Sequence, residues 1–226
     1  MLAIGHRGAC GYQPENTLAS FHHAARLGCP WIELDVYFVQ DRLIVIHDDD
    51  LTRTTNGTGL VMDSSFDYLR SLDAGQGEQI PTLQEVLELV DTGMNINVEL
   101  KGPGTAEPVS ELLSNACQRH WHPDQFLISS FKHEELARAS SEFRRGALFG
   151  RPSADIISRS KQLGAYSLNV SLRMIDPDLV NLAHQAGLQI YVYTVNEPQD
   201  IEQLRSWGVD GVFSDFPDRV MDNQKK

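Results

Sequence analysis

Basic residues are scarce in this chain of 226 residues, because 19 lysines and arginines stand against 31 aspartates and glutamates, a formal charge of −12 at pH 7. That balance disfavours a surface that binds nucleic acid or an anionic membrane, since both partners are negatively charged. A small phosphate remains compatible with it, because a metal ion or a few basic side chains can reverse the local field. We therefore expect a small-molecule ligand and no nucleic-acid partner.

Cysteines and long apolar runs are also few. Cys10, Cys29 and Cys117 form no CxxC pair, and their odd number does not suggest a disulfide framework. The sequence has no apolar run near the roughly 18 residues that span a bilayer, and no signal-peptide pattern precedes its first strand-like residues. We expect reduced thiols, no stable membrane insertion and a cytoplasmic protein, with a homodimer left open.

Short β-rich runs alternate with helix-like segments along nearly the whole chain. Eight runs are predicted as strands: 2–5, 31–39, 96–101, 126–130, 146–149, 166–170, 189–195 and 211–214. Eight strand–helix repeats predict an α/β fold, a single (β/α)₈ TIM-barrel domain over residues 1–226. A doubly wound sheet is the alternative, but Gly5, Gly8 and Gly11 are spaced GxxGxxG rather than GxGxxG.

One interval breaks this alternation. Asp41-Arg42 is predicted to turn the chain into an extra strand over 43–47, and the segment 48–80 follows as loop and short helix. Long connections in compact domains are uncommon and often functional. We predict a small insertion after the second strand, lying over the mouth of the barrel at the C-terminal ends of its strands.

Helix boundaries have local signals in three places. Thr82 and Glu85 have capping-box spacing at the start of one helix, which Gly93 is expected to end. Gly187 and Gly208 are expected to end two later helices.

The second strand alternates apolar and acidic residues. Ile32, Leu34 and Val36 share one face, and Glu33 and Asp35 share the other, because successive strand side chains point to opposite sides. In a barrel the apolar set would face the helices and both acids would point into the mouth. A sheet face exposed to water is the alternative reading of this pair alone.

The third strand repeats the pattern. One of its faces has the polar residues Asn95, Asn97, Glu99 and Lys101. Two neighbouring strands would then put three carboxylates and an ammonium group on one interior surface, where unpaired acids cost several kcal/mol or shift their pKa values. A hard divalent cation, Ca²⁺ or Mg²⁺, would relieve this repulsion because such ions take carboxylate oxygens.

Two histidines end strands near these acids. His6 follows the first strand and His47 ends the extra strand, so both can reach the same mouth. A structural role is the commoner one for an isolated histidine, but this placement indicates a general acid/base pair. Arg7 and Lys101 are then placed to hold an anion, and together the groups suit cleavage of a phosphodiester.

Other residues leave two interpretations open. Asn16 could contact substrate or metal as part of the pocket lining, although Asn16-Thr17 also suits a helix N-cap. Phe131 and Tyr193 end the fourth and seventh strands and could line the alcohol site or only pack. The three consecutive aspartates that begin at Asp48 could orient His47 by hydrogen bonding, although such an acidic run more commonly forms a solvated loop.

Several stretches, in order along nearly the whole chain, resemble the motifs of the glycerophosphodiester phosphodiesterase family. They are GHRGACGYQPENTLASF, IELDV, VIHDDDLTRTTNGTG, IPTLQEVLEL, NVELKG and GVDGVFSDFPD. The resemblance implies a TIM barrel that hydrolyses deacylated phospholipids, such as glycerophosphocholine and glycerophosphoethanolamine, to sn-glycerol 3-phosphate and an alcohol with a divalent cation.

The resemblance also implies a role for each matched residue. It implies catalysis by His6 and His47, metal binding by Glu33, Asp35 and Glu99, and phosphate contacts by Arg7 and Lys101. Two departures from the family pattern bear on the pocket. Tyr193 stands where family members often have Trp, which leaves the aromatic wall of the pocket open. The segment 48–80 is shorter than the inserted domain of some members, which leaves the leaving-group preference open.

Three other functions would require features that differ from those of this sequence. A related barrel phospholipase acting on lysophospholipids or phosphoinositides would need an apolar lip or a basic patch. A non-catalytic phosphate-binding barrel would lack one of the histidines or acids, and none is missing. A metal-dependent aldolase or isomerase would need a Schiff-base lysine or an enolate site, which Lys101 beside Glu99 fits less well than phosphate binding.

Overall fold

The computed structural model describes residues 1–221, which contain nine strands and nine α-helices. The strands are β1 Leu2–Gly5, β2 Trp31–Val39, β3 Arg42–Val45, β4 Asn95–Leu100, β5 Phe126–Ser130, β6 Arg144–Phe149, β7 Ser167–Ser171, β8 Gln189–Tyr193 and β9 Gly211–Ser214. The helices are α1 Leu18–Leu27, α2 Phe66–Ser71, α3 Leu83–Val90, α4 Ala106–Cys117, α5 His133–Arg138, α6 Ile156–Gln162, α7 Pro177–Gln185, α8 Pro198–Ser206 and α9 Pro217–Met221.

Eight parallel strands close into a barrel. Their order is β1-β9-β8-β7-β6-β5-β4-β2, and pairing of β1 with β2 completes the ring. Helices follow the strands in the (β/α)₈ manner, so the predicted TIM barrel is confirmed. No helix within residues 1–221 has the length and hydropathy of a membrane span.

The extra strand β3 pairs antiparallel with β2 as a hairpin. Its two-residue turn is Gln40-Asp41, both with positive φ (46° and 59°), and Val39 pairs with Arg42 across it. The turn predicted at Asp41-Arg42 is therefore wrong by one residue. A two-residue hairpin turn favours left-handed residues because their backbone twist matches that of the paired strands. Gln40 and Asp41 both adopt this conformation, and Arg42 already belongs to the strand.

Alternation along β2 places its apolar face against the helices. Ile32, Leu34 and Val36 are fully buried in the main core, which also contains Val86 and Leu87 of α3. A smaller cluster of side chains from four different strands fills part of the barrel interior: Ile4, Leu127, Tyr191 and Phe213. Removal of this apolar surface from water stabilises the barrel by about 25 cal/mol per Å² buried.

The segment 48–80 has a core of its own. Leu51, Val61 and Leu69 are fully buried, and they cluster with Tyr37 and Ile44 of the β2–β3 hairpin. A 3₁₀ turn over Val61–Asp63 and helix α2 provide its regular structure. The hairpin thus serves as a platform on which this segment packs.

Helix α3 begins as predicted and ends earlier than predicted. The Thr82 hydroxyl accepts from the backbone N–H of Glu85, whose carboxylate accepts from the backbone N–H of Thr82, which confirms the capping box. The helix stops at Asp91, which is left-handed with φ 38°. The expectation that Gly93 ends it is wrong, because Asp tolerates this conformation and closes the helix two residues sooner.

Glycines with positive φ serve two different purposes in this fold. Gly187 and Gly208 follow the last turns of α7 and α8 with φ 78° and 82°, as predicted, and a Cβ at either would meet nothing within 4 Å. Gly8 lies in the loop between β1 and α1 with φ 90°, where a Cβ would approach Ser20 Oγ to 2.3 Å and the Ser20 backbone carbon to 2.7 Å. Gly8 therefore lets the loop that carries His6 pack directly on α1.

Gly8→Ala should destabilise the protein more than the matched variant Gly187→Ala. Both force alanine into a left-handed conformation, which costs about 1–2 kcal/mol, but only Gly8→Ala adds overpacking, typically about 1–3 kcal/mol. Urea unfolding of the two variants measures the difference. Equal unfolding midpoints would contradict the close approach of Gly8 to Ser20.

Candidate active site

The ends of the first and last strands bring His6 and Asp215 together. His6 follows β1 and Asp215 follows β9, and these strands are neighbours only because the barrel closes. Nδ1 of His6 lies 2.7 Å from Asp215 Oδ1. A carboxylate only accepts, so Nδ1 carries a proton and Nε2 is the ring nitrogen left to exchange protons.

Further contacts hold Asp215 in place. The side chain of Asn196 donates to Asp215 Oδ2 (2.6 Å) and accepts from its backbone N–H (2.9 Å). The Cys10 thiol donates to Asp215 Oδ1 (3.0 Å). Burial alone would raise the pKa of Asp215, but hydrogen bonds from His6 and Cys10 outweigh it and hold the pKa well below its ordinary value.

Three acids lie on neighbouring strands inside the barrel. In the parallel pairing of β2 with β4, Asp35 lies beside Glu99. Glu33 comes two residues before Asp35 and is on the same face of β2. All three are buried, and one oxygen from each lies within 4.8 Å of the others. Such a cluster of converging carboxylates fits a hard divalent cation, which takes oxygen ligands.

Burial and mutual repulsion set the charge state of this cluster. Burial, with Asp35 and Glu99 nearby, raises the pKa of Glu33 well above its ordinary value. Burial and Asp35 raise the pKa of Glu99 to about 7. Burial would also raise the pKa of Asp35, but Lys101 and Arg7 hold it below its ordinary value. Asp35 is thus the anchored negative charge of the three.

Arg7 and Lys101 approach the acids from two sides. Arg7 donates its backbone N–H to Glu33 Oε2 (2.9 Å), and its Nε lies 3.5 Å from Asp35 Oδ2. Its φ of 50° is unusual for a residue with a side chain, so these contacts offset a strained backbone. Nζ of Lys101 lies 2.9 Å from Glu99 Oε1 and 3.5 Å from Asp35 Oδ1.

His47 has a carboxylate partner from its own loop. Its Nδ1 lies 2.5 Å from Asp48 Oδ1, so Asp48 has the orienting contact rather than being only a solvated acid. Arg53 donates to Asp48 and also holds Glu15 through two hydrogen bonds of 2.8 Å each. Burial lowers the pKa of His47, and the negative charge of Asp35 opposes that shift.

Both histidines line one cavity of about 160 Å³ at the barrel mouth. Its wall includes the acids Glu33 and Glu99 and the aromatic residues Phe131 and Tyr193, whose rings lie edge to face with their centroids 5.8 Å apart. The cavity thus joins proton-transfer groups, acids and an apolar wall.

Asn16 contacts the acid cluster. It is buried, and its amide donates to Asp35 Oδ2 at 2.9 Å, whereas Thr17 caps α1 by accepting from the backbone N–H of Ser20. Asn16 therefore supports the anchored acid, and its backbone is left-handed with φ 57°.

Several residues of this site were not singled out from the sequence. Asp215, Asn196, Glu15 and Arg53 all contact site residues, yet none was predicted to do so. Asp215 had one usable signal, because it is the first residue after the last strand, and in a closed barrel that strand lies beside the first. Arg53 and Glu15 lie in two loops that are not part of paired strands, so the sequence pattern gives no signal that they are in contact.

The arrangement is suited to transfer at a phosphodiester. Two oriented imidazoles can take a proton from a nucleophile and give one to a leaving oxygen. Arg7 and Lys101 supply positive charge beside a cluster of three carboxylates, and a divalent cation there would reverse the excess negative charge.

Similarity to known proteins extends over nearly the whole chain. The model of the glycerophosphoryl diester phosphodiesterase family matches residues 6–219. A glycerophosphodiester phosphodiesterase of Caldanaerobacter subterraneus is 34% identical over 238 residues, covering 100% of this chain and 98% of the relative. One from Bacillus altitudinis is 36% identical over 239 residues, covering 96% of each chain.

A solved structure matches over the same extent. It is a phosphodiesterase of Oleispira antarctica in complex with the product sn-glycerol 3-phosphate. It has 32% sequence identity and a TM-score of 0.92, and the match covers 100% of this chain and 97% of that one. With its closed barrel and a family match over nearly its full length, this chain belongs to the glycerophosphoryl diester phosphodiesterase family and is a phosphodiesterase.

Proposed function

We propose that this protein hydrolyses glycerophosphodiesters, such as glycerophosphocholine and glycerophosphoethanolamine, to sn-glycerol 3-phosphate and an alcohol. The observation that carries the proposal is the pair His6 and His47, each backed by a carboxylate at Nδ1 and lining one cavity together with Glu33 and Glu99. The relatives named for this activity support the choice of substrate class.

Proton transfer is assigned to the Nε2 atoms. One histidine takes the proton of the nucleophile at Nε2, and the other donates from Nε2 to the leaving alkoxide. Asp215 and Asp48 keep each ring in the required tautomer and stabilise its charged form, as a carboxylate behind a catalytic histidine does. Water or the substrate's own glycerol hydroxyl could be the nucleophile, and the second route passes through a cyclic phosphate.

Three positively charged partners are proposed to neutralise the negative charge of the phosphoryl group. Arg7 is proposed to hold phosphoryl oxygens through its guanidinium group and Lys101 through its ammonium group. Glu33, Asp35 and Glu99 would hold Ca²⁺ or Mg²⁺, because their oxygens converge and Asp35 remains ionised. When bound, the cation would neutralise negative charge on the phosphoryl oxygens.

The cavity has room for the glycerol moiety of a deacylated substrate. A cavity of about 150 Å³ holds benzene, so the 160 Å³ here suits a group of similar size such as glycerol. Phe131 and Tyr193 are proposed to line this pocket, and the segment 48–80 is proposed to influence the choice of alcohol. The three unpaired cysteines support the predicted cytoplasmic location.

Purified protein should release sn-glycerol 3-phosphate from glycerophosphocholine, and excess EDTA should stop the reaction. Added Ca²⁺ or Mg²⁺ should restore it, and comparison of the two ions identifies the better cofactor. A coupled assay for glycerol 3-phosphate measures the rate. Full activity in a chelator-stripped, metal-free sample would refute the role of the acids as metal ligands.

His6→Ala and His47→Ala should each lower kcat at least ~10²-fold, because each removes a proton-transfer group. His184→Ala is a matched control, since His184 also pairs with a carboxylate, Asp210 (2.8 Å), but on helix α7 and outside the cavity. Wild-type rates in either cavity variant, or an equal loss in the control, would remove the histidines from the mechanism.

Metal-free protein should become less stable as the pH rises from 5 to 8. The folded-state pKa of Glu99 is about 7 against an ordinary 4.5, so the folded state binds more protons between these values. Its contribution to stability is present below pH 4.5 and is lost as the pH rises through 7.

Thermal unfolding at several pH values with and without Ca²⁺ measures this effect. Ca²⁺ should raise Tm more at pH 8 than at pH 5, because protons compete for the carboxylates at low pH. The variant Glu99→Gln should flatten the pH dependence of the metal-free protein. The same Tm shift on adding Ca²⁺ at both pH values would count against the cluster as the binding site.

A further inference from the structure

A belt of polar side chains crosses the inside of the barrel on β4, β5 and β7. Asn97 donates through Nδ2 to Ser129 Oγ (3.0 Å), and Ser167 donates to Asn169 Oδ1 (2.8 Å). Gly146 of β6 lies between them, and a Cβ there would approach Asn169 Nδ2 to 2.7 Å and Ser129 Cβ to 3.1 Å. The glycine thus leaves room for this belt beneath the cavity.

Asn97 lies in the cavity wall and has a buried acceptor without a partner. The residue is 1% exposed, it lines the cavity, and its Oδ1 has no hydrogen-bond partner. Arg7 Nε is the other such atom among cavity-lining residues of the described chain 1–221, and it has Asp35 at 3.5 Å as an ion-pair partner. Asn97 therefore differs from its neighbours in having a polar atom that the protein leaves unused.

An unused buried acceptor is costly. Leaving such a group without a partner costs about 1–3 kcal/mol, and nearly all buried polar side-chain atoms have partners. The bond to Ser129 fixes one end of the Asn97 amide, so the other end is held in one orientation in the wall. This is the geometry of a group prepared for a donor that arrives from outside the chain.

The surroundings identify the donor by its chemistry. The cavity is also lined by the apolar side chains of Leu148 and Phe213 and by the aromatic rings of Phe131 and Tyr193. A neutral carbonyl oxygen repels phosphoryl oxygens and accepts from O–H groups. A polyol has hydroxyl groups for such an acceptor and C–H groups for an apolar wall.

We propose that Asn97 Oδ1 accepts a hydrogen bond from a hydroxyl of the substrate's glycerol moiety, which makes Asn97 a specificity-determining residue. The inference rests on the proposed function, since it names the group that the site recognises. Sites that bond a substrate hydroxyl reject analogues without it strongly, because their buried polar group is then left unpaired.

The test is a cycle of variants and substrates. Wild type and Asn97→Ala are assayed with glycerophosphocholine and with its two analogues built on propane-1,2-diol and propane-1,3-diol, each of which lacks one glycerol hydroxyl. Wild type should prefer glycerophosphocholine to both. In Asn97→Ala the preference over one analogue should fall roughly 10-fold or more, because kcat/KM drops for glycerophosphocholine and for the analogue that keeps the recognised hydroxyl, but not for the analogue that lacks it.

Asn169→Ala is the matched control. Asn169 is also a fully buried asparagine of the belt with an unpartnered amide atom, Nδ2, but it does not line the cavity. This variant should lose stability without a change in preference. Asn97→Leu, of similar shape but without the acceptor, is the second variant should Asn97→Ala not fold.

Three outcomes would overturn the proposal. One is an equal loss of kcat/KM on all three substrates, and another is a wild type that does not discriminate against either analogue. The third is weaker Ca²⁺ binding by Asn97→Ala in calorimetric titration, which would make the amide oxygen a cation ligand. A wild type that cleaves none of the three refutes the proposed function itself, whereas turnover with unchanged preference refutes only the role of Asn97.

Discussion

The repulsion among Glu33, Asp35 and Glu99 is the constraint on which the site depends. Three carboxylates within 4.8 Å of one another and out of water would drive an unsupported sheet apart. The barrel resists this because hydrogen bonds along β2 and β4 fix their register and apolar faces bury both strands from behind. The fold thus holds three carboxylates together whose mutual repulsion a divalent cation can relieve.

The basic residues are placed to balance that charge only in part. Lys101 and Arg7 keep Asp35 ionised, while burial keeps the pKa values of Glu33 and Glu99 high. The cluster is therefore tolerable without a cation and still attractive to one. Full neutralisation by a third basic side chain would stabilise the protein and remove its affinity for metal, a common conflict between stability and function.

Local sequence patterns predicted the barrel and the positions of the acids. They did not predict contacts between residues far apart in the sequence, which form only when the barrel closes or when loops meet. The period of two along β2 and β4 is a property of the strand itself, so it placed Glu33, Asp35 and Glu99 on one face. The contact of Asp215 with His6 depends on how the ring closes, and the salt bridge of Arg53 with Glu15 depends on two loops that happen to meet. Helix α3 ends early because Asp91 adopts a left-handed conformation. An aspartate predicts that conformation less strongly than a glycine does.

The His6–Asp215 pair joins residues that are 209 positions apart. During translation His6 therefore leaves the ribosome well before its carboxylate partner, with seven of the eight barrel strands made in full between them. A nascent chain with seven of the eight barrel strands holds all three acids and both histidines, yet His6 has no group to fix its tautomer. Addition of the last strand closes the barrel and also brings Asp215 to His6. Phosphodiesterase activity therefore requires a closed barrel.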